Sequence, residues 1–243
     1  MNLLLFCPED FSPDGTARVS GRRLRQLTEV IKAAPGKVCK AGVLDGDVGA
    51  AELLCLNDSE AVFRFRRTGP PPPPLEVTLL CALPRPLTFS KVIHSAVTCG
   101  VKRLCFFHSA KVEKSYWQSS RLADDAIRED VMLALEQCAD TVRPEITFHR
   151  RFRPFFEDEL NGIAPSDGVR LFGSPSSVEP VPVGLAGRKK VVLAVGPEGG
   201  LNDFEEQNLR ELGFSGVTLG RRILRSEFAV NALLSLLGGC QNS

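Results

Sequence analysis

The 243-residue sequence has little of what metal centres and disulfide-rich domains are built from. It contains only three histidines, His94, His108 and His149, and they are far apart along the chain. Its eight cysteines form no C-x-x-C pair, since the closest two, Cys99 and Cys105, are six residues apart. Neither a zinc site nor a disulfide framework is indicated, and we expect no bound metal. The cysteines are better explained as buried free thiols in a reducing cytosol.

Long apolar runs are also missing. No run reaches the roughly 20 residues that a membrane-spanning helix needs, so we expect no membrane partner. The start of the chain has no basic n-region and soon meets Glu9 and Asp10, which does not fit a signal peptide. We therefore predict a cytoplasmic protein. Its 43% of hydrophobic residues is enough for a sizeable core in one large domain or two smaller ones.

Two phosphate-binding motifs are absent, although a glycine-rich loop stands where one of them would be. The apolar run Val191–Val195 is typical of a strand buried on both faces, and Gly-Pro-Glu-Gly-Gly follows it at 196–200. No lysine follows in the loop, as it does in a P-loop, and the G-x-G-x-x-G spacing is missing. We therefore expect a ligand held by backbone amides and apolar contacts rather than by a grip on phosphate.

A second glycine loop follows in the same α/β unit. Asn202 is placed to begin a helix, with Glu205 completing a capping box. The segment 217–219 then predicts a short strand, and the loop 220–226 leads to the most apolar helix of the chain, 227–237. We expect that helix to be buried in the core or in a dimer contact. Because ligands of open α/β sheets bind at the carboxyl ends of strands, the two loops predict one ligand site.

A run of five prolines, Pro70–Pro74, divides the sequence. It favours a polyproline II spacer between a domain at 1–70 and a second domain at 75–243. Before it, a predicted helix at 21–32 and short strand-like runs separated by turns indicate a small β-barrel. After it, strands alternate with helices, which predicts an α/β fold with a mostly parallel sheet.

Within the first part, two patterns predict which side chains are buried. Helical spacing places Leu24, Leu27, Val30 and Ile31 on one apolar face of the helix at 21–32. In the strand that begins at Ala61, phenylalanines at 63 and 65 alternate with arginines at 64 and 66, so one strand face is apolar and the other is basic.

Positive charge is concentrated locally, although the net charge is only +1. Between Arg18 and Lys40 there are seven lysines or arginines and one acid, a local charge of +6. Such patches, rather than the total, are typical of RNA-binding surfaces, and the alternative is a solvated basic face. The predicted RNA-binding residues are Arg18, Arg22, Arg23, Arg25, Lys32 and Lys114. Two aromatic residues, Tyr116 and Trp117, follow Lys114 closely and could stack on an extruded base. The alternative for Trp117 is that it packs at the start of the helix predicted over 119–139.

The pair of loops carries a family resemblance. Gly-Pro-Glu-Gly-Gly at 196–200, with Leu-Gly-Arg-Arg-Ile-Leu-Arg at 219–225, resembles the RsmE family of ribosomal RNA methyltransferases in the SPOUT superfamily. A weaker match, Ser-Gly-Arg-Arg-Leu-Arg at 20–25, extends the likeness towards the amino terminus. The resemblance implies an N-terminal PUA-like β-barrel, a C-terminal domain with a trefoil knot, S-adenosylmethionine as cofactor and a homodimer. The implied reaction is methylation of a uridine N3 in small-subunit (16S) ribosomal RNA.

The resemblance and the loop chemistry together predict the site. A third glycine loop, after the strand 169–172, would form another edge of the cofactor pocket. The predicted cofactor-binding residues are Phe172, Gly173, Gly196, Pro197, Glu198, Gly199, Gly200, Leu219, Gly220, Ile223 and Leu224.

Methylation of N3 also requires loss of the N3 proton, which predicts three catalytic candidates. Arg225 would stabilise negative charge on the uracil oxygens, and Glu198 or Glu227 would act as general base. The alternatives are a surface ion pair between Arg225 and Glu227, or a Glu227 that only complements a helix dipole.

Three positions depart from the family pattern: Thr98, Asp140 and Phe228. Phe228 places a large ring where the family has a smaller side chain, so the pocket would be altered there. Two other functions therefore stay open. One is a SPOUT methyltransferase that acts on another RNA, and the other is a catalytically impaired protein that binds RNA or the cofactor.

Overall fold

The computed structural model describes residues 2–165 and 167–239. The chain divides into two units. The first unit consists of the chain up to Pro73 together with Met132–Arg143, and the second consists of Pro74–Val131 and the chain from Pro144 onward. One boundary falls inside the proline run. The segment Met132–Arg143 enters the first unit from the middle of a continuous helix, and no turn residue in the sequence marks that change.

The first unit is built on a five-stranded sheet with strand order β1-β3-β4-β5-β2. The β1–β3 pair is parallel, and the other three pairs are antiparallel. A 3₁₀ turn at Pro8–Asp10 and a π-helical turn at Gln26–Val30 interrupt the regular elements. Those elements are β1 (Leu4–Phe6), β2 (Thr16–Val19), α1 (Gly21–Arg25), β3 (Val38–Val43), β4 (Val48–Leu56) and β5 (Ala61–Gly69).

Burial in the first unit follows the predicted patterns with one exception. On β5, Phe63 is buried while Arg64 and Arg66 are exposed, which confirms the apolar and basic faces. Leu24 and Leu27 are buried, but Val30 is 74% exposed, so its predicted burial is wrong. The reason is the π-helical turn, which has more residues per turn than an α-helix and rotates Val30 away from the core.

Glu136 holds the segment Met132–Arg143 within the first unit. Its carboxylate, 3% exposed, accepts two hydrogen bonds from the Arg22 guanidinium at 2.8 and 2.9 Å. Its carbonyl oxygen accepts from the amides of Asn2 and Leu3 at 3.1 and 3.0 Å. A buried carboxylate needs such partners because desolvation of an unpaired charge is costly.

The end of the same segment is a turn formed by Asp140. Its carboxylate is buried and accepts from the amides of Thr141 and Val142 at 2.6 and 3.0 Å. The departure from the family pattern at this position therefore has a structural role in the turn.

The second unit contains a six-stranded sheet with strand order β11-β9-β10-β6-β7-β8, and every pair in it is parallel. All six carboxyl ends consequently lie at one edge, which we call the carboxyl edge. A π-helical turn at Phe155–Glu159 lies between two of the short helices. The elements are β6 (Leu75–Ala82), α2 (Pro86–Thr98), β7 (Val101–Phe107), α3 (Asp124–Cys138), β8 (Glu145–His149), α4 (Phe152–Pro154), α5 (Leu160–Ile163), β9 (Val169–Gly173), β10 (Val191–Val195), α6 (Asp203–Glu211), β11 (Ser215–Val217) and α7 (Ser226–Gly238).

Two predicted boundaries in the second unit are wrong. β11 ends at Val217 rather than running over 217–219, because the Thr218 hydroxyl accepts from the Gly220 amide and turns the chain. The helix predicted over 119–139 begins only at Asp124, since Ser120–Leu122 forms a separate 3₁₀ turn.

The last helix, α7, is only partly buried. Val230, Leu233, Leu234 and Leu237 are buried, whereas Phe228 is 60% exposed. Within residues 2–165 and 167–239, no helix has the length and apolarity to cross a membrane.

We predict that Arg22→Ala destabilises the protein by about 3 kcal/mol, because it leaves the buried Glu136 carboxylate without its cation. Chemical unfolding followed by circular dichroism measures this loss. The matched control is Arg18→Ala, which breaks the exposed pair with Glu60 and should cost less than about 1 kcal/mol. Equal losses in the two variants would contradict the stabilising role of the Arg22–Glu136 pair.

Candidate functional site

A cavity of about 360 Å³ opens at the carboxyl edge of the second unit. Its walls are the loops that follow β9, β10 and β11, together with one face of α7. Its volume lies in the range typical of small-molecule sites. The lining residues are Gly173, Ser174, Pro175, Ser176, Val195, Gly196, Pro197, Glu198, Gly199, Gly200, Leu201, Asp203, Glu206, Val217, Thr218, Leu219, Gly220, Arg222, Ile223, Leu224, Ser226, Ala229 and Leu233.

The structure brings together almost all of the predicted cofactor-binding residues. Phe172 is the exception, because its ring is fully buried and lies 4.8 Å from the Arg210 guanidinium instead of lining the cavity. Gly200 and Gly220 adopt φ angles of +70° and +108°, where a side chain would be strained, so glycine is required for both loops to curve around the cavity.

Helical spacing explains which residues of α7 face the cavity. Ser226, Ala229 and Leu233 stand at positions i, i+3 and i+7 of the helix and line it together. Phe228 lies on another face and lines a separate recess with Asn231 and residues of α2. The expectation that Phe228 alters the first cavity is therefore wrong.

The charged lining is mostly acidic. Glu198, Asp203 and Glu206 contribute carboxylates, while Arg222 contributes the single guanidinium. Sequence reasoning missed Glu206, which lies on α6 and outside the glycine motifs. Its carboxylate accepts a 2.6 Å hydrogen bond from the Ser174 hydroxyl. Glu206 also pairs with the Arg210 guanidinium at 3.2 Å. The charges left at the cavity are then Glu198, Asp203 and Arg222, which favours a ligand that is cationic rather than anionic.

Glu205 holds the loop after β10 in place. Its carboxylate is 2% exposed and accepts from the Asn202 amide at 3.0 Å, completing the predicted capping box. It also accepts from the Ala110 amide at 2.7 Å and from the Ser109 hydroxyl at 3.2 Å. One buried carboxylate thereby ties the loop after β7 to the helix that follows the glycine loop.

Two further contacts fix the glycine loop itself. The Glu198 carboxylate accepts a 3.0 Å hydrogen bond from the Arg85 amide at the start of α2. The Lys111 ammonium donates to the Gly199 carbonyl at 2.7 Å. The cavity wall is consequently braced from two neighbouring loops before any ligand binds.

The three catalytic candidates occupy different surroundings. Glu198 lines the cavity, and Arg225 is the exposed N-cap residue of α7. Glu227 is buried, pairs with the Lys91 ammonium at 3.3 Å and lines the separate recess. The ion pair between Arg225 and Glu227 that the sequence left open does not form, because Lys91 is the partner of Glu227.

The predicted RNA-binding residues also divide into two groups. Arg18, Arg22 and Arg23 form ion pairs with Glu60, Glu136 and Asp10 at 2.7, 2.8 and 2.6 Å. In the described part of the chain the other three are exposed and form no ion pair; they are Arg25, Lys32 and Lys114.

Metal and thiol chemistry gain no support from the described residues. In that part of the chain, no group of three or more histidine, cysteine or acidic side chains is arranged to hold a metal ion. Seven cysteines are described and are free thiols, and Cys240 lies outside the described residues. Burial raises the pKa of the Cys81, Cys99 and Cys105 thiols, which keeps them protonated and unreactive.

Known proteins are similar to this chain over most of its length. The ribosomal RNA small subunit methyltransferase E of Treponema pallidum is 26% identical over 242 residues, which cover 98% of this chain and 90% of that protein. The enzyme of the same name from Mesomycoplasma hyopneumoniae is 28% identical over 188 residues, covering 75% of this chain and 78% of that protein.

A solved structure shares the mixed α/β fold. It is the crystal structure of a ribosomal RNA small subunit methyltransferase E from Neisseria gonorrhoeae bound to S-adenosyl methionine. It has a TM-score of 0.74 at 24% identity, covering 96% of this chain and 95% of that chain. A family profile for the RNA methyltransferase domain matches residues 71–238, more than half of the sequence. The chain therefore belongs to the RNA methyltransferase family.

Proposed function

We propose that this protein transfers the methyl group of S-adenosylmethionine to N3 of a uridine in small-subunit (16S) ribosomal RNA. The observation that carries the proposal is the cavity formed by the Gly-Pro-Glu-Gly-Gly loop and the loop 218–225. The names of the two relatives and of the gonococcal structure support ribosomal RNA as the substrate.

The cavity residues fit this cofactor by charge and by shape. S-adenosylmethionine carries a sulfonium and an ammonium group and has no phosphate, which suits an acidic lining without a P-loop lysine. Exposed backbone groups of the glycine loops would bind the nucleoside part, and Ile223 and Leu224 would contact its apolar atoms. When bound, the cofactor supplies an electrophilic methyl group.

We assign the proton chemistry to Arg225 and Glu198. The exposed Arg225 guanidinium would stabilise the negative charge that develops on the uracil oxygens. Glu198 lines the cavity, and its carboxylate is oriented by the Arg85 amide, so it is the better placed general base. We do not assign this role to Glu227, since its carboxylate pairs with the Lys91 ammonium and lines the separate recess.

The finer architecture is part of the proposal. The five-stranded sheet of the first unit supports a PUA-like β-barrel, and Arg25 and Lys32 are its available RNA contacts. The trefoil knot is proposed from the family resemblance alone. The Gly184 amide donates a 2.8 Å hydrogen bond to the Leu236 carbonyl, which holds the segment before β10 against α7.

We further propose that the protein is a homodimer. Helices α2 and α7 pack together and carry three exposed apolar side chains, Leu87, Phe228 and Leu236. A second copy of the chain would cover these side chains. A cytoplasmic location stays a prediction from the sequence, and a ribosomal RNA substrate would agree with it.

The reaction is tested with the purified protein, tritiated S-adenosylmethionine and either small-subunit particles or total tRNA. We expect label in 16S RNA and, by nucleoside mass spectrometry, N3-methyluridine as the product. Label only in tRNA would favour a methyltransferase of the same superfamily with another substrate. Saturable cofactor binding without transfer to either RNA would favour a protein that only binds.

Arg225→Ala should lower kcat by at least about 100-fold, as loss of a transition-state charge contact does, and leave the cofactor Kd unchanged. Single-turnover methylation and calorimetry measure the two effects. Arg221→Ala removes the same charge from the same exposed loop, four residues before the proposed catalytic position, and should retain the parent rate. A weakened cofactor Kd in the Arg225 variant would move this residue from catalysis to cofactor binding.

Glu205→Gln should weaken cofactor binding about tenfold, because the amide group replaces an acceptor that serves three donors and so loosens the glycine loop. Calorimetric titration measures the change. The control is Glu211→Gln on the same helix, whose carboxylate is exposed and contacts only Gln207. An unchanged Kd in the Glu205 variant would contradict the bracing role.

A further inference from the structure

The carboxyl edge of the second unit has two halves, which we call the cavity half and the basic half. The cavity occupies the half formed by the loops after β11, β9 and β10, and its lining has three carboxylates against one guanidinium. The loops after β6, β7 and β8 form the other half, because these strands are the remaining neighbours in the same parallel sheet. The basic residues of those three loops are Arg85, Lys111, Lys114, Arg121, Arg150 and Arg151.

Arg150 is presented on a rigid aromatic support. Its guanidinium carbon lies 4.9 Å from the centroid of the Trp117 ring. Trp117 is 9% exposed and donates its indole N–H to His108 Nδ1 at 3.0 Å, so the ring is fixed. A guanidinium over an aromatic face keeps N–H groups available at its edge, and these are the groups that bind phosphate.

Contacts connect this support to the cavity. A hydrogen bond with the Tyr116 hydroxyl raises the pKa of the Arg85 guanidinium, and Tyr116 lies beside Trp117 in one 3₁₀ turn. The Arg85 amide in turn donates to Glu198 in the cavity wall. The basic half therefore runs without interruption from the cavity rim to Arg150.

Two acids nearby have a basic partner, and a third, Glu113, is hydrogen-bonded to a hydroxyl. Glu113 accepts from the Tyr116 hydroxyl at 3.1 Å, Glu157 from Arg153 at 2.8 Å, and Glu159 contacts His149 at 2.7 Å. Across residues 2–165 and 167–239, by contrast, no carboxylate forms an ion pair with Lys114, Arg150 or Arg151. Among the described residues, three exposed cations without a carboxylate partner therefore lie on loops of the same edge as the cavity.

We propose that Lys114, Arg150 and Arg151 form a phosphate-binding surface for the RNA substrate on the second unit itself. The inference rests on the proposed function and extends it, because the sequence pattern had placed nearly all RNA contacts in the first unit. Backbone phosphates would bind the basic half, and the target base would reach the cavity, where the cofactor is expected. Trp117 serves as the support of Arg150 and does not stack on a base.

The test is binding of deproteinised 16S ribosomal RNA at several salt concentrations, measured by filter retention. Arg150→Gln combined with Arg151→Gln should weaken binding about tenfold at low salt and reduce the salt slope by about 1.4, the value for two contacts to single-stranded phosphates. The cofactor Kd should not change, which also reports that the variant is folded. Replacing both arginines with lysine should restore most of the affinity.

The matched control is Lys189→Gln combined with Lys190→Gln. It removes the same charge from the same unit, but these lysines precede β10 and so lie at the opposite edge of the sheet. Equal RNA affinity and salt slope in the two double variants would overturn the proposal, as would absence of RNA binding by the parent protein. Binding that depends on Arg150 and Arg151 without formation of N3-methyluridine would instead reject the proposed reaction and retain this surface.

Discussion

The parallel pairing of all six strands in the second unit is the constraint on which the site depends. It brings six strand-ending loops to one edge, although these loops are spread from Leu83 to Arg225 along the chain. Nothing local to any single loop creates the cavity. Residues at 173–176, 195–206 and 217–224 become neighbours only because β9, β10 and β11 run in the same direction side by side.

Two carboxylates make that edge rigid. Glu205 joins the loop after β7 to the start of α6, and Glu198 joins the glycine loop to the start of α2. Both accept from backbone amides, whose positions are fixed by the strands and helices on either side. A hydrogen bond from an amide to a charged carboxylate is stronger than one between two neutral groups. These bonds therefore hold the loop in one conformation although it is rich in glycine.

Some arginines form ion pairs within the protein, and others are available to bind RNA. Only the tertiary structure shows which arginines belong to each group. Arg22 and Arg23 look like RNA contacts in a sequence with a local charge of +6. Arg22 pairs with Glu136, which is far away in the sequence, and Arg23 pairs with Asp10, which is close to it. Both carboxylates are largely buried. Arg150 and Arg151, which the sequence did not single out, have no such partner in the described part of the chain.

The sequence by itself determined the strand Val191–Val195, the capping box of Asn202 and Glu205 and ten of the 23 residues that line the cavity, because these are encoded by adjacent residues. Tertiary structure alone decided three other matters. It placed Glu206 in the cavity, it turned Phe228 to a separate recess, and it assigned Met132–Arg143 to the first unit. Each depends on which face of a helix packs against another element, or on which residue distant in the sequence pairs with a buried carboxylate. Patterns of nearby residues do not specify such contacts.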